Sequence, residues 1–327
     1  MAEYTWVFDA PTGTYKNNAL SNDILEAAIA QCQVAPFARN VNGYGKGKGE
    51  NVTLIRVQNI SEPTSAVLSE VSRIPEDSFS ITTKSITVQE LGRAVPYTEL
   101  AVDLAYFDIE NAIQRKLTQQ LSLVMDSLAI AGLKNSKLKF QPTGLSSYTL
   151  STGGAATVAA TANMNVYFVE ELRDTLYDTY HVPPYEGSDY VGIFRTKALR
   201  GIKRDPSWEE WHKYTDPQSK WNNEVGRIEC VRFVETNHGG TATASLAPTA
   251  IPGLNICGTG SVLGEGLVFG DEALYLAEVL TPELRAGLPE DFGRSKSVAW
   301  YGILKFDIPW DTANVGEAKS IHVTSLT

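Results

Sequence analysis

Cysteine is scarce in this 327-residue chain: Cys32, Cys230 and Cys257 form an odd set at spacings of no metal or redox motif. That excludes a disulfide framework and fits a reducing compartment. Long apolar runs are missing too, and Met1 is followed by Ala2-Glu3-Tyr4-Thr5 instead of a basic and then apolar leader. Neither a membrane-spanning helix nor a signal peptide is expected. Positive charge is also short, since 28 Lys and Arg against 38 Asp and Glu leave a net charge of -10. A surface that grips phosphate backbones needs clustered cations, so sequence-specific nucleic-acid binding is disfavoured. The small basic patches, Lys46 with Lys48 and Lys203 with Arg204, read as solvated surface.

Chemistry-bearing motifs are absent as well. His181, His212, His238 and His322 are scattered and never paired at i,i+4, and no Ser sits in a Gly-x-Ser-x-Gly elbow. The stretch Gly258-Thr-Gly260-Ser-Val-Leu-Gly264 places its third glycine one position late for a dinucleotide loop and reads as a turn. Gly45-Lys-Gly-Lys-Gly49 lacks the Gly-Lys-Ser/Thr ending of a phosphate loop and leads into a strand. No catalytic residue, cofactor or metal is expected. Asp205, Glu209, Glu210 and Asp216 do cluster with Trp208, Trp211 and Tyr214. A dispersed enzyme site there is the remote alternative; an exposed interface loop using Trp208, Trp211 and Tyr214 is the plainer reading, because such side chains bury large area while keeping a polar handle.

What the chain does have, 43% hydrophobic and 20% charged residues, specifies an ordinary folded protein. The first 44 residues read as an arm, with helical spacing confined to Ser21–Gln33. Gly43, Gly45, Gly47 and Gly49 then form a hinge before the β-branched stretch Val52–Val57. A second such stretch, Ser85–Leu91, lies beyond a polar span containing Arg73, Pro75, Glu76 and Asp77, so residues 50–96 read as a two-stranded β-arm. An isolated ribbon is marginal in water and needs a partner surface. Thr98 can cap a short helix, and from Asp108 the residues Ile109, Ile113, Leu117, Leu121, Val124 and Leu128 keep helical spacing to a break at Gly132. Residues 134–163 read as a long surface loop. An α/β module follows: a helix from Asn165 to Tyr180, a strand Asp189–Phe194, a helix Thr196–Arg204, and alternating stretches at Arg227–Glu235 and Leu267–Gly270. Ser297–Ile308 reads as a long strand ended by Pro309, and Ile321–Leu326 as a short one.

This α+β order of elements resembles the Hong Kong 97-type fold of tailed-phage major capsid proteins. Four stretches are similar to its N4-like, P22-coat-like branch: Gln89–Thr98, Leu121–Asp126, Val191–Pro206 and Asn223–Thr236. The resemblance implies an N-terminal arm at 1–44, an extended β-loop at 45–97 and a peripheral domain at 98–164 with its spine helix at 108–133. It further implies an axial domain at 165–280 and a return to the peripheral domain at 281–327. It implies self-assembly into hexamers and pentamers of an icosahedral head around double-stranded DNA, put together in the host cytoplasm, with prohead maturation moving the arm and the extended loop. The chain starts within its arm, so a separate scaffolding protein is implied, along with a portal protein and a decoration or cement protein. Inter-subunit contact candidates are Lys46, Lys48, Arg56, Arg73, Glu76, Asp77, Trp208, Trp211 and Tyr214. No motif here matches one that would crosslink a Lys to an Asn, so covalent joining is not expected. An encapsulin-like shell with other cargo is the alternative, sharing the fold and the lack of catalytic motifs.

Overall fold

The structure is a computed structural model. It describes residues 33–326 except 61, 64, 69, 71, 72, 106, 159, 209–223, 239–263 and 290. The arm helix expected at Ser21–Gln33 therefore lies almost wholly outside the described residues, as do Trp211, Tyr214 and the glycines at 258–260.

After a 3-10 turn at Ala35–Phe37, a two-residue strand β1 (Arg39–Asn40) leads into the glycine segment and the ribbon β2 (Asn51–Val57) and β3 (Ile81–Thr87). The expected second strand of the arm, Ser85–Leu91, is broken at Val88. Residues up to Thr87 pair with β2, whereas β4 (Gln89–Thr98) leaves the ribbon and pairs with a distant strand. Pro96 is compatible with β4 because this strand is the edge of its sheet and pairs on one side alone.

Thr98 caps α1 (Glu99–Leu104), its hydroxyl accepting the Ala101 N–H at 3.3 Å. Asp108 caps α2 (Ile109–Lys134) in the same way through the Asn111 N–H at 3.1 Å. This spine helix does not stop at Gly132 but runs through it to Lys134. The glycine serves close approach instead: a Cβ there would stand 3.0 Å from Leu274 Cδ1 and 3.4 Å from the Phe306 carbonyl.

Residues 134–163 form no surface loop. They hold β5 (Leu138–Pro142) and β6 (Tyr148–Ser151), and all of β5 is buried. Asn165 caps α3 (Val166–Asp174), which widens into a π turn at Thr175–Thr179. Next come β7 (Tyr190–Arg195) and α4 (Thr196–Lys203). The stretch expected as one strand at Arg227–Glu235 is a hairpin of β8 (Glu224–Ile228) and β9 (Val231–Thr236), turned by Glu229 and Cys230 at positive φ. That turn shape normally selects Asn-Gly, so the sequence gives little warning of it. The chain closes with β10 (Gly264–Phe269), β11 (Tyr275–Ala286), β12 (Ser295–Asp307) and β13 (Ser320–Ser325).

Two sheets organise the body. Four strands run in the order β1-β11-β12-β4 and seven in the order β6-β5-β13-β10-β7-β9-β8. Residues 138–151 and 320–325, expected with the spine helix, thus share a sheet with β7, β9 and β10. The spine helix joins the two layers. Leu117 of its N-terminal half is buried with Val298 and Trp300 of β12, and Trp300 donates its indole N–H to Gln120 at 3.2 Å. Ala129, Ile130 and Leu133 of its C-terminal half pack on Val191, Ile193, Val234, Leu267 and Phe269 of the larger sheet. The opposite face of that sheet carries α3 and α4 over Phe140, Phe194, Phe233 and Val323. Each fully buried side chain of this size contributes about 1.5–3 kcal/mol.

Candidate assembly surfaces

The β2–β3 ribbon has two unlike faces because side chains alternate along a strand. Val52, Leu54, Arg56, Thr82, Lys84 and Ile86 are at least partly covered, and Ile86 is 1% exposed. On the other face Ile55, Val57 and Ile81 are more than half exposed, with Val57 directly across from Ile81. Ile60, Val67, Leu68, Ile74 and Phe79 continue this apolar character toward the tip. So many exposed apolar side chains on one projecting element mark a surface that another molecule covers.

The covered face is held by charge. Asp311 receives the Arg56 guanidinium and the Lys84 ammonium, the latter at 3.1 Å, and Arg56 also lies 5.5 Å from the centre of the Trp310 ring. Burial alone would raise the Asp311 carboxyl, but hydrogen bonds from Arg56 and Lys84 more than offset it and hold the group at about 2. Asp307, 3.9 Å from Lys84, moves the other way: burial raises it, and Lys84 only partly compensates.

At the ribbon's base, Gly43, Gly47 and Gly49 adopt positive φ, a conformation open to glycine at little cost, and a Cβ on any of them would meet nothing. Gly45 shares the open surroundings without the positive φ. The segment folds on itself, Tyr44 donating to the Gly49 carbonyl at 2.9 Å and Lys48 to the Gly43 carbonyl.

Where the arm enters the body, one buried carboxylate holds it. Asp126 of α2 is fully buried, and its Oδ1 accepts the backbone N–H groups of Gln33, Val34 and Ala35 at 3.1, 2.7 and 3.1 Å. Sequence reasoning missed this role, because Asp126 continues the polar positions Thr118 and Ser122 at helical spacing, away from Leu117, Leu121 and Leu128.

The remaining contact candidates scatter. Lys46 is exposed, Arg73 and Glu76 pair with each other near the ribbon tip, and Asp77 is exposed beside them. Trp208 is not on the surface: its ring packs 5.9 Å from that of Phe233 and is 9% exposed, because the short turn after α4 points it back onto β9. A further apolar tip, unremarked in the sequence, is the β11–β12 hairpin, where Leu288 and Phe292 are fully presented to solvent near exposed Leu100 and Leu104 of α1. The Glu99 N–H to Arg294 carbonyl bond at 2.9 Å joins the two elements.

The comparisons agree with a shell-forming architecture. The head protein of Helicobacter pylori bacteriophage KHP40 superposes with a TM-score of 0.72 at 12% identity, covering 100% of this chain and 99% of that one. The capsid of cyanophage P-SCSP1u gives 0.68 at 11% identity, covering 100% of both chains. The capsid of cyanophage Pam1 gives 0.67 at 13%, covering 99% of both. No curated protein sequence matches. The profile of the phage capsid family matches residues 15–189, more than half of the chain. With the fold shared along its whole length and that profile matched, the chain belongs to the phage capsid family, structural proteins of the virion and not enzymes.

Proposed function

We propose that this subunit closes an icosahedral head by lying its β-arm across neighbouring copies within hexamers and pentamers. The observation that carries this reading is the outer face of the ribbon, where Ile55, Val57 and Ile81 are exposed on an element too thin to bury them itself. Many modest contacts of this kind, closed into rings, multiply into a stable particle. The glycine hinge gives the ribbon the freedom that prohead maturation demands, and Lys46, Arg73, Glu76 and Asp77 are suited to the polar rim of the contact. Partners are a scaffolding protein during assembly, a portal, a decoration protein outside and packaged DNA inside. The branch is the N4-like, P22-coat-like one, on the strength of the four sequence stretches quoted above.

The test uses a property of the ribbon's base. Val88 donates its N–H to the Glu50 carbonyl at 3.2 Å, so the ends of the ribbon are one hydrogen bond apart. Residues 51–87 can therefore be excised and replaced by a short Gly-Ser link while β4 stays on β12. The expected product keeps a native-like circular dichroism spectrum and forms no closed particles in negative-stain images of cells co-expressing the scaffold. Closed shells from the excised chain would remove the role of the ribbon.

A further inference from the structure

Around helix α4 lies a run of cations. Arg195, Lys197, Arg200, Lys203 and Arg204 fall within ten residues that contain no acid, in a chain of net charge -10. Ala198, Leu199 and Ile202 point into the core, while Lys197, Arg200 and Arg204 are exposed. Their spacing, i, i+3 and i+7, lays them in one stripe. Lys203 is engaged with Glu235 at 2.9 Å. The next acid, Asp205, is occupied by the backbone N–H groups of Val166 and Ser207, at 3.2 and 3.1 Å. Lys197, Arg200 and Arg204 have no ion pair among the described residues, Arg200 acting on Glu235 only at longer range. The helix dipole accounts for cations in the last turn, but Lys197 is in the first turn, where the dipole opposes it. Like charges three residues apart also repel.

The neighbouring helix presents the converse. Glu170, Asp174 and Asp178, on α3 and its π turn, are exposed at i, i+4 and i+8. Arg173 answers Asp174 at 2.9 Å, and no cation answers Glu170 or Asp178 among the described residues. Burial raises the Glu170 carboxyl, and repulsion from Glu229, Asp174, Asp205 and Glu171 raises it further. At the helical rise per residue the two stripes are about 11 and about 12 Å long. They match in length and are opposite in sign, three cations facing three acids of which Asp174 is already paired with Arg173, and each stripe is strained by like charge.

A capsomer repeats one contact between successive copies, and a self-associating chain that carries two complementary patches can satisfy each with the other. We propose that the Lys197–Arg200–Arg204 stripe of one copy docks on the Glu170–Asp174–Asp178 stripe of a second copy. The inference rests on the shell-forming reading above and names one contact within it.

Charge reversal tests it on the full chain. Lys197→Glu with Arg200→Glu makes one variant, Glu170→Lys with Asp178→Lys the other, and a third carries all four changes. Each is checked for folding by near-ultraviolet circular dichroism, then compared with the parent for shell yield at low salt by size exclusion and electron microscopy. Each reversed pair should lower the yield about tenfold, since like charges now face each other, and salt should narrow the gap. The fourfold variant should recover to within about twofold of the parent, because it restores opposite charge at every contact. An equimolar mixture of the two pairs should recover in part, since six-membered rings can alternate the two chains and five-membered rings cannot. Reversed pairs that assemble like the parent overturn the docking, as do folded pairs that neither the mixture nor the fourfold variant rescues. Normal shell yield with loss of DNA retention in the Lys197/Arg200 variant alone would assign that stripe to phosphates and overturn it too. A parent chain that makes no shells removes the shell-forming reading and this contact together; normal parent shells with indifferent variants remove the contact alone.

Discussion

Asp126 accepts the Val34 N–H at 2.7 Å across 92 positions of sequence, and that bond, flanked by those from Gln33 and Ala35, fixes where the arm leaves the spine helix. Three donors converge on one oxygen inside the protein, so the cost of losing it is set by the stranded N–H groups more than by the bonds themselves. Asp126→Ala should destabilise the subunit by about 3 kcal/mol in denaturant titration, and Asp126→Asn, which keeps an acceptor, by about 1. Limited proteolysis near residue 33 should quicken in the same order. Equal stability of the alanine variant and the parent would mean that the arm is held elsewhere.

Gly132 allows a second prediction. An alanine there gains helix propensity of about 1 kcal/mol and meets Leu274 Cδ1 tightly, so the effects nearly cancel. Gly132→Val adds branches toward the Phe306 backbone, which cannot give way, and should cost about 2–3 kcal/mol. Thermal melts of the two variants separate them; a valine variant as stable as the alanine variant would show that α2 can move off β12.

Several elements that were legible in the sequence have one face apolar and the other polar, although the strands read at Asp189–Phe194 and Leu267–Gly270 are buried on both faces. Leu117 and its helical neighbours, and the alternation in Ser295–Asp307, could be read because water lies on the other side. The missed strand β5 is buried on both faces: Leu138–Pro142 encloses Lys139 and Gln141, so polar residues that suggest a loop are core. The strand expected at Ile321–Leu326 is present as Ser320–Ser325, but the burial of its His322 and Thr324 could not be read from the alternation. β11 was hidden differently, by Pro282 and two register shifts that break its alternation. The β-arm was visible as a ribbon, but its seat on Asp311, Trp310 and Asp307 could not be, since more than 220 residues separate Lys84 from that segment.

That seat predicts a response to acid. The Asp311 carboxyl stands at about 2 in the folded chain against an ordinary 3.8. A carboxyl depressed by folding contributes stability above its unfolded value, lost as pH falls through the folded one. Between about pH 4 and pH 2 the ribbon should therefore loosen from its seat, seen as faster amide exchange in residues 51–57 and 81–87. Asp311→Asn should show that faster exchange already at neutral pH. Exchange independent of both acid and the substitution would mean that apolar contacts alone hold the covered face.

Inside the larger sheet, Glu265 receives Lys134 and His322, each at 2.7 Å, and all three side chains are buried or nearly so. Burial pushes the His322 imidazole down to about 4, outweighing the raising effect of Glu265, so it stays neutral in the fold at neutral pH. The unfolded chain, with an ordinary imidazole at 6.5, binds more protons than the folded one between these values, so stability must rise with pH from about 4 to about 6.5. The gain is about 3 kcal/mol over that interval, and it should vanish in His322→Gln. Glu265→Gln leaves the buried Lys134 ammonium without its counter-charge and should cost about 3–5 kcal/mol. Joint replacement of Lys134, Glu265 and His322 by Met, Leu and Leu removes the desolvation cost and the pairing together, and should be neutral or stabilising while flattening the pH profile. Guanidinium titrations from pH 4 to pH 7 distinguish the outcomes, and a parent whose stability is flat over that range would rule out a neutral, buried His322.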